Sequence, residues 1–287
     1  MRLDGEQESR NVEDRRGMGM PGRRAGRLGL GTIVLALAVG WIFGIDPGTV
    51  INVATGLQAG SSQPAPTPTS PANDETTRMV SKVLGSTERI WHAQFTQAGR
   101  QYLEPTLVLF TDATPTACGT GQSAAGPFYC PLDRKVYIDL SFFEDMKRQF
   151  QISGDFAQAY VIAHEVGHHV QNLLGLSDRV QKAQHQASSQ AQANALSVRL
   201  ELQADCLAGV WAAQANDSRQ ILEAGDVEAA LHAASAIGDD RLQQRSQGHI
   251  VPDAFTHGNS AQRVRWFKRG LESGDLQQCN TFQAASL

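Results

Sequence analysis

An excess of basic residues is the first thing missing from this sequence. Lys and Arg number 25 against 29 Asp and Glu in 287 residues, a formal net charge of −4, so there is no general positive field to hold nucleic acid. No phosphate-cradling glycine loop or RNA-binding signature occurs, and nothing recurs at a period of 20 to 50 residues, which leaves neither a nucleic-acid partner nor a repeat architecture to expect. Cysteine is scarce, with only Cys118, Cys130, Cys206 and Cys279. An even count permits two disulfides. Cys118 and Cys130 flank a Gly/Ser/Ala-rich loop that cannot hold itself by packing, where a crosslink would stabilise by about 3 kcal/mol. Cys206 would then pair with Cys279, although its place beside Asp205 leaves a metal-ligand role open.

What is present is unevenly distributed. Residues 1–27 are polar, Gly- and Arg-rich, and after Asp14 they carry Arg15, Arg16, Arg23, Arg24 and Arg27 with no acid; a disordered basic cytoplasmic tail is expected. The 18 residues of "LGLGTIVLALAVGWIFGI", 28–45, are uncharged and apolar, with Trp41 near the far end. They read as a single transmembrane signal-anchor helix, and the preceding arginines put the N-terminus in the cytoplasm and the remainder outside it, at the cell membrane. A cleaved signal peptide and a buried helix are the competing readings. Residues 46–73 form a linker that becomes Pro/Ser/Thr-rich from Gly56, too polar to pack. The remaining 74–287 make one domain, with a helix expected at about 74–96 and strands at 106–112 and 135–140.

The chemistry concentrates in "VIAHEVGHHVQ", 161–171. At 3.6 residues per turn His164 and His168 stack on one helix face and can share a metal ion, while Glu165, one step round, can reach a water bound to it. Gly167 in the helix interior costs about 1 kcal/mol relative to alanine and so signals close approach of another backbone or a ligand. His169 points about 100° away from the ligand pair, toward packing or a hydrogen bond. A helix carrying solvated histidines would read the same way. Hydrolytic zinc usually takes three protein ligands and keeps a fourth position for water, so a third ligand is needed downstream. In "RLELQADCLAGVW", 199–211, Glu201 and Asp205 share a face among apolar neighbours. Two carboxylates at that spacing repel unless a cation or histidine partners them. Glu201 is therefore expected as third ligand, and Asp205 as the acceptor that orients a ligand imidazole through its other N–H.

These strings, together with "PFYCPLDRKVYID" and "FTHGNSAQRVRWF", resemble the bacterial neutral zinc metallopeptidase family, within the gluzincin type of His-Glu-x-x-His followed by Glu-x-x-x-Asp. The likeness runs from about Arg78 to Cys279. It implies one zinc ion per chain on His164, His168 and Glu201, with Glu165 as general base, and a peptide or protein as substrate. It also implies that part of 126–140 lines the cleft as a strand edge to which a substrate strand can add. His257 precedes a helix expected to be capped by Ser260, and a similar Thr-His loop follows the zinc site in the gluzincin group, so His257 is the candidate second donor to the oxyanion. The fold expected overall is α+β and zincin-like, mostly helical with a small β-sheet, preceded by one transmembrane helix. A catalytically silent zinc-binding scaffold and a cell-wall peptide amidase are the alternatives.

Overall fold

Alternation along two short strands organises the molecule. In β2 (Thr106–Phe110) and β6 (Lys135–Asp139), Leu107, Leu109, Val136 and Ile138 face a large helical core, while Val108, Phe110 and Tyr137 face the opposite side, as the two-residue period of a strand dictates. The computed structural model describes residues 1–17, 74–123 and 126–287. Its main sheet has the order β1-β2-β6-β5, with β1 (Val12–Asp14) and β2 parallel, β2 and β6 parallel, and β5 (Phe128–Cys130) antiparallel to β6. A hairpin of β3 (Ala113–Thr116) and β4 (Gly119–Gln122) is joined to β5 by the Cys118–Cys130 disulfide.

Helices cover the other layer. Asp74 caps α1 (Glu75–Gln97) by accepting from Thr77 N. The chain continues through α2 (Ser141–Phe150), α3 (Asp155–Leu173), α4 (Leu176–His185), the 30-residue α5 (Gln190–Arg219), α6 (Asp226–Ala236), α7 (Asp239–Gln247) and α8 (Ser260–Ser273). The α3 and α5 helices form the centre, and α8 lies along α5 at unusually short range. A Cβ added to Gly270 would sit 1.9 Å from the Cys206 carbonyl oxygen, and one on Gly209 would sit 2.2 Å from that of Phe267. Only glycine at both positions allows that approach. The Cys206–Cys279 disulfide then fastens the C-terminal turn Leu276–Cys279 to α5.

Two expectations need correction. Among the described residues no helix is long and apolar enough to cross a membrane, which overturns the single-pass architecture and the membrane localisation built on it. The helices long enough carry charge within their span: α5 holds Arg199, Glu201 and Asp205, residues that are costly in hydrocarbon. Residues 28–45, on which the expectation fell, lie outside the described residues, as does the linker. The expected disorder of 1–27 also fails for residues 1–17. Val12 is buried, β1 extends the sheet, Ser9 Oγ and Asn11 Nδ2 donate to Glu88 at 2.6 and 2.9 Å, and Arg89 pairs with Glu6 at 2.7 Å. Arg15 and Arg16, read as part of a free basic run, pair with Glu13 and Asp14. This polar segment orders because partners some 80 residues away satisfy it, and composition within a window does not register them.

Candidate metal centre

The α3 helix brings three of the expected residues to one surface, and the turn at Gly175 (φ 69°), followed by α4, reverses the chain so that α5 returns against it. Contact between the two helices is closest at Gly167, where a Cβ would lie 3.1 Å from the Ala204 carbonyl oxygen. The glycine thus meets a neighbouring backbone, as its place in a helix interior suggested. One ligand atom each from His164, His168 and Glu201 falls within 4.8 Å of the others. Nε2 of His164 is 3.2 Å from Glu201 Oε2, and Nε2 of His168 is 3.4 Å from Glu201 Oε1. Metal–ligand bonds of about 2.0–2.1 Å in a tetrahedron set ligand atoms roughly 3.3 Å apart, so this donor set fits a zinc-sized cation in both chemistry and spacing.

Each imidazole is fixed through its second nitrogen. His164 Nδ1 lies 2.8 Å from Asp205 Oδ1, leaving Nε2 to face Glu201. Asp205 is fully buried and takes three more hydrogen bonds: Tyr160 OH donates to Oδ1 at 2.6 Å, and Arg263 donates from Nε to Oδ2 and from Nη2 to Oδ1, both at 2.9 Å. His168 Nδ1 lies 3.0 Å from Gln171 Oε1; Gln171 Nε2 donates to Gln203 Oε1, and Gln203 Nε2 donates to the carbonyl of Cys279. One histidine is therefore braced by a charged network and the other by a chain of amides that ends at a disulfide. Cys206, for which a metal-ligand role had been open, forms that disulfide instead.

Electrostatics set the cluster up for positive charge. Burial opposes protonation of His164, but the Asp205 carboxylate, its hydrogen bond and that of Glu201 outweigh it and push the pKa up to about 10. Burial raises the Asp205 pKa, yet Arg263 and His164 bring it down to about 2. Glu201 is held well below the usual carboxylate range, because the His168 and His164 imidazoles overcome its own desolvation. Glu201 thus faces Nε2 of both imidazoles as a carboxylate, and a divalent cation bound there would take the place of protons on those nitrogens, while Asp205 keeps the Nδ1 proton of His164.

A cleft of about 610 Å³ opens over this cluster, and Glu165, Tyr129, Tyr160, His257 and Arg263 all reach its wall. Among the described residues no side chain hydrogen-bonds the Glu165 carboxylate. His257 is half-exposed, with Nδ1 3.2 Å from Asp239 Oδ1; the same carboxylate accepts the backbone N–H groups of Thr256, His257 and Gly258. Among the described residues nothing hydrogen-bonds His257 Nε2, and the Asp239 hydrogen bond raises the His257 pKa against its partial desolvation. The helix cap differs from expectation: Asn259 caps α8 with a reciprocal bond to Gln262, and Ser260, the first helical residue, bonds Asp240 and the Ser235 carbonyl instead. His169 turns away from the cluster, between Tyr129 OH at 3.0 Å and the Leu103 carbonyl at 2.6 Å, and burial lowers its pKa to about 4.

Arg263, Tyr160, Gln171 and Gln203 are the functional neighbours that sequence reasoning missed. A signal existed for Arg263 alone. It begins an i, i+3, i+4, i+7 series with Trp266, Phe267 and Gly270 that is buried throughout, and an arginine on such a face requires a buried carboxylate.

Two helices, one presenting His-Glu-x-x-His and the next Glu-x-x-x-Asp around a closed donor set, define a zinc-metallopeptidase type of centre. Residues 1–282 match the family described as "Putative neutral zinc metallopeptidase", and the chain belongs to that family. The match takes in β1, in keeping with residues 1–17 being part of the folded domain. The chain is 52% identical over 293 residues to Uncharacterized protein YpfJ of Escherichia coli K12, covering 98% of this chain and 99% of that one. It is 45% identical over 196 residues to Uncharacterized protein Rv2575 of Mycobacterium tuberculosis H37Rv, 65% of each chain. No solved structure matches.

Proposed function

We propose that this protein is a zinc-dependent peptidase that hydrolyses peptide bonds, with His164, His168 and Glu201 holding one zinc ion and Glu165 acting as general base. The observation that carries the reading is the closed donor set of these three residues at the floor of a cleft whose wall includes Glu165. Zinc, when bound there, supplies the charge that acidifies a water and polarises a carbonyl.

The protein's own groups do the rest. Glu165, the residue after ligand His164, takes the water's proton and returns it to the leaving amine. His257, in the imidazolium form that the Asp239 carboxylate favours, keeps its Nδ1–H on Asp239 and donates from Nε2 to the oxygen of the tetrahedral carbon. Asp205, held ionised by Arg263, keeps Nε2 of His164 aimed into the site. The edge of β5 lies along the cleft at Phe128 and Tyr129, where an extended peptide can add as a strand.

The test is zinc content and casein hydrolysis of the full chain beside Glu165→Gln. About one zinc per chain in both proteins, with hydrolysis reduced at least 100-fold in the variant, is the expected result. Equal hydrolysis by both proteins would remove Glu165 from its role, and absence of zinc from the parent would remove the metal centre.

A further inference from the structure

Beside the metal cluster the same cleft carries a second kind of surface. Phe142 and Phe150 from α2, Ile237 after α6 and Leu242 from α7 line it. None of them is fully buried, and Leu242 keeps 38% of its surface exposed. Most apolar side chains of this size lie in the core here, so four together on one wall of a concave site call for an occupant. The wall is held in place: Arg245 of α7 stacks over the Phe150 ring at 4.8 Å and donates to the Gln149 carbonyl at 2.7 Å, which joins α7 to α2. It is also continuous with the chemistry, because Arg263, which grips Asp205, donates to the Ile237 carbonyl. Asp145, the acid of α2 at the rim of this wall, is paired with Arg148, and the four side chains that form the wall carry no charge.

From this arrangement we infer that Phe142, Phe150, Ile237 and Leu242 form the specificity pocket, and that it takes a large apolar side chain, of the leucine or phenylalanine kind, flanking the scissile bond. The inference rests on the peptidase reading and names its substrate class. An extended peptide lying along β5 points alternate side chains to opposite faces, and this wall is an apolar surface that the cleft offers to one of them. Burying a leucine against this uncharged wall gains apolar area, whereas a lysine there would have to give up water around its ammonium, which favours the apolar peptide by roughly tenfold or more.

The experiment uses the full chain, zinc-loaded, as the Glu165→Gln variant so that nothing is cut during the titration. Two Gly/Ser/Thr decapeptides, one with a single central leucine and one with a single central lysine, are titrated by calorimetry, and the parent is assayed separately on the same peptides. The leucine peptide is expected to bind at least tenfold more tightly, and the parent to cut next to that leucine. Adding Leu242→Glu, a change at an exposed position, is expected to reduce the preference at least tenfold while zinc content stays the same. Equal binding of the two peptides, or a preference that Leu242→Glu leaves unmoved, would overturn the pocket. Casein hydrolysis by the parent reports on the peptidase reading separately: cleavage with no apolar preference sinks the pocket alone, whereas leucine-selective binding without any cleavage sinks the peptidase reading and leaves an apolar peptide-binding cleft.

Discussion

Asp205 and Arg263 are both buried, at 0% and 3% exposure, and neither charge is tolerable there without the other. Replacing Arg263 by leucine leaves a carboxylate uncompensated, at a cost of roughly 3–5 kcal/mol. Arg263→Leu is expected to lower the melting temperature sharply and to weaken zinc binding, since His164 loses its brace. Asp205→Asn keeps the shape but removes the charge that holds His164, and a 10- to 100-fold loss of zinc affinity is expected, measured by competition with a chromogenic chelator. Equal zinc affinity in Asp205→Asn and the parent would mean that the buried pair serves stability alone. At this scale the His-Glu-x-x-His pattern was legible because its residues lie within a single turn and a half of helix. For Arg263 only its place on an apolar helix face was legible; which carboxylate it meets was not, because Asp205 is 58 positions away.

Among the elements, the strand end at β6 decides how α2 begins. Asp139 accepts from the backbone N–H groups of Asp112 and Ser141 at 2.9 Å each and from Ser123 Oγ, so one carboxylate joins the strand ends, the loop after β4 and the first turn of α2. Burial raises its pKa, but these hydrogen bonds prevail and hold it below the ordinary value of an aspartate. A carboxylate with a lowered folded pKa contributes stability that is present above about pH 4 and lost as pH falls through the folded value. Asp139→Asn should therefore flatten the acid limb of a stability–pH profile below about pH 4, as read by thermal melts of the metal-free protein; an unchanged limb would assign acid lability to other carboxylates. Helix and strand positions in this region follow from local pattern. Strand 106–110 and strand 135–139 stop short of the expected 112 and 140 because Asp112 adopts a positive φ of 62° and Leu140 already has helical dihedrals; strand ends are set by backbone turns that hydropathy does not encode.

For the molecule as a whole, the Cys206–Cys279 crosslink closes 73 residues of chain. In the chain-entropy picture such a loop stabilises by about 4 kcal/mol. The carbonyl of Cys279 is also the last acceptor in the amide chain that starts at His168, so the crosslink reaches the metal centre. The double variant Cys206→Ser, Cys279→Ser is expected to melt lower than the parent and to bind zinc more weakly. A lower melting temperature with unaltered zinc affinity would confine the disulfide to stability. The N-terminal segment enters at the same scale. Residues 1–17 complete the sheet through β1 and bond α1 through Ser9 and Asn11, which donate to Glu88, and through Glu6, which accepts from Arg89, although their composition alone argued for disorder.

The sequence by itself determined the elements whose causes are local: the helix with its i, i+4 histidines, the carboxylate pair on a later helix, the α+β class and the cysteines able to pair. Those features depend on helix and strand periods, which operate over a few residues. Only the tertiary structure decided that Arg263 and Tyr160 hold Asp205, that Gln171 and Gln203 hold His168, that an apolar wall from α2 and α7 borders the cleft, and that a polar N-terminus is folded. Each of these depends on contacts between segments far apart in the chain, where the deciding free energy comes from burial and pairing that no single stretch contains.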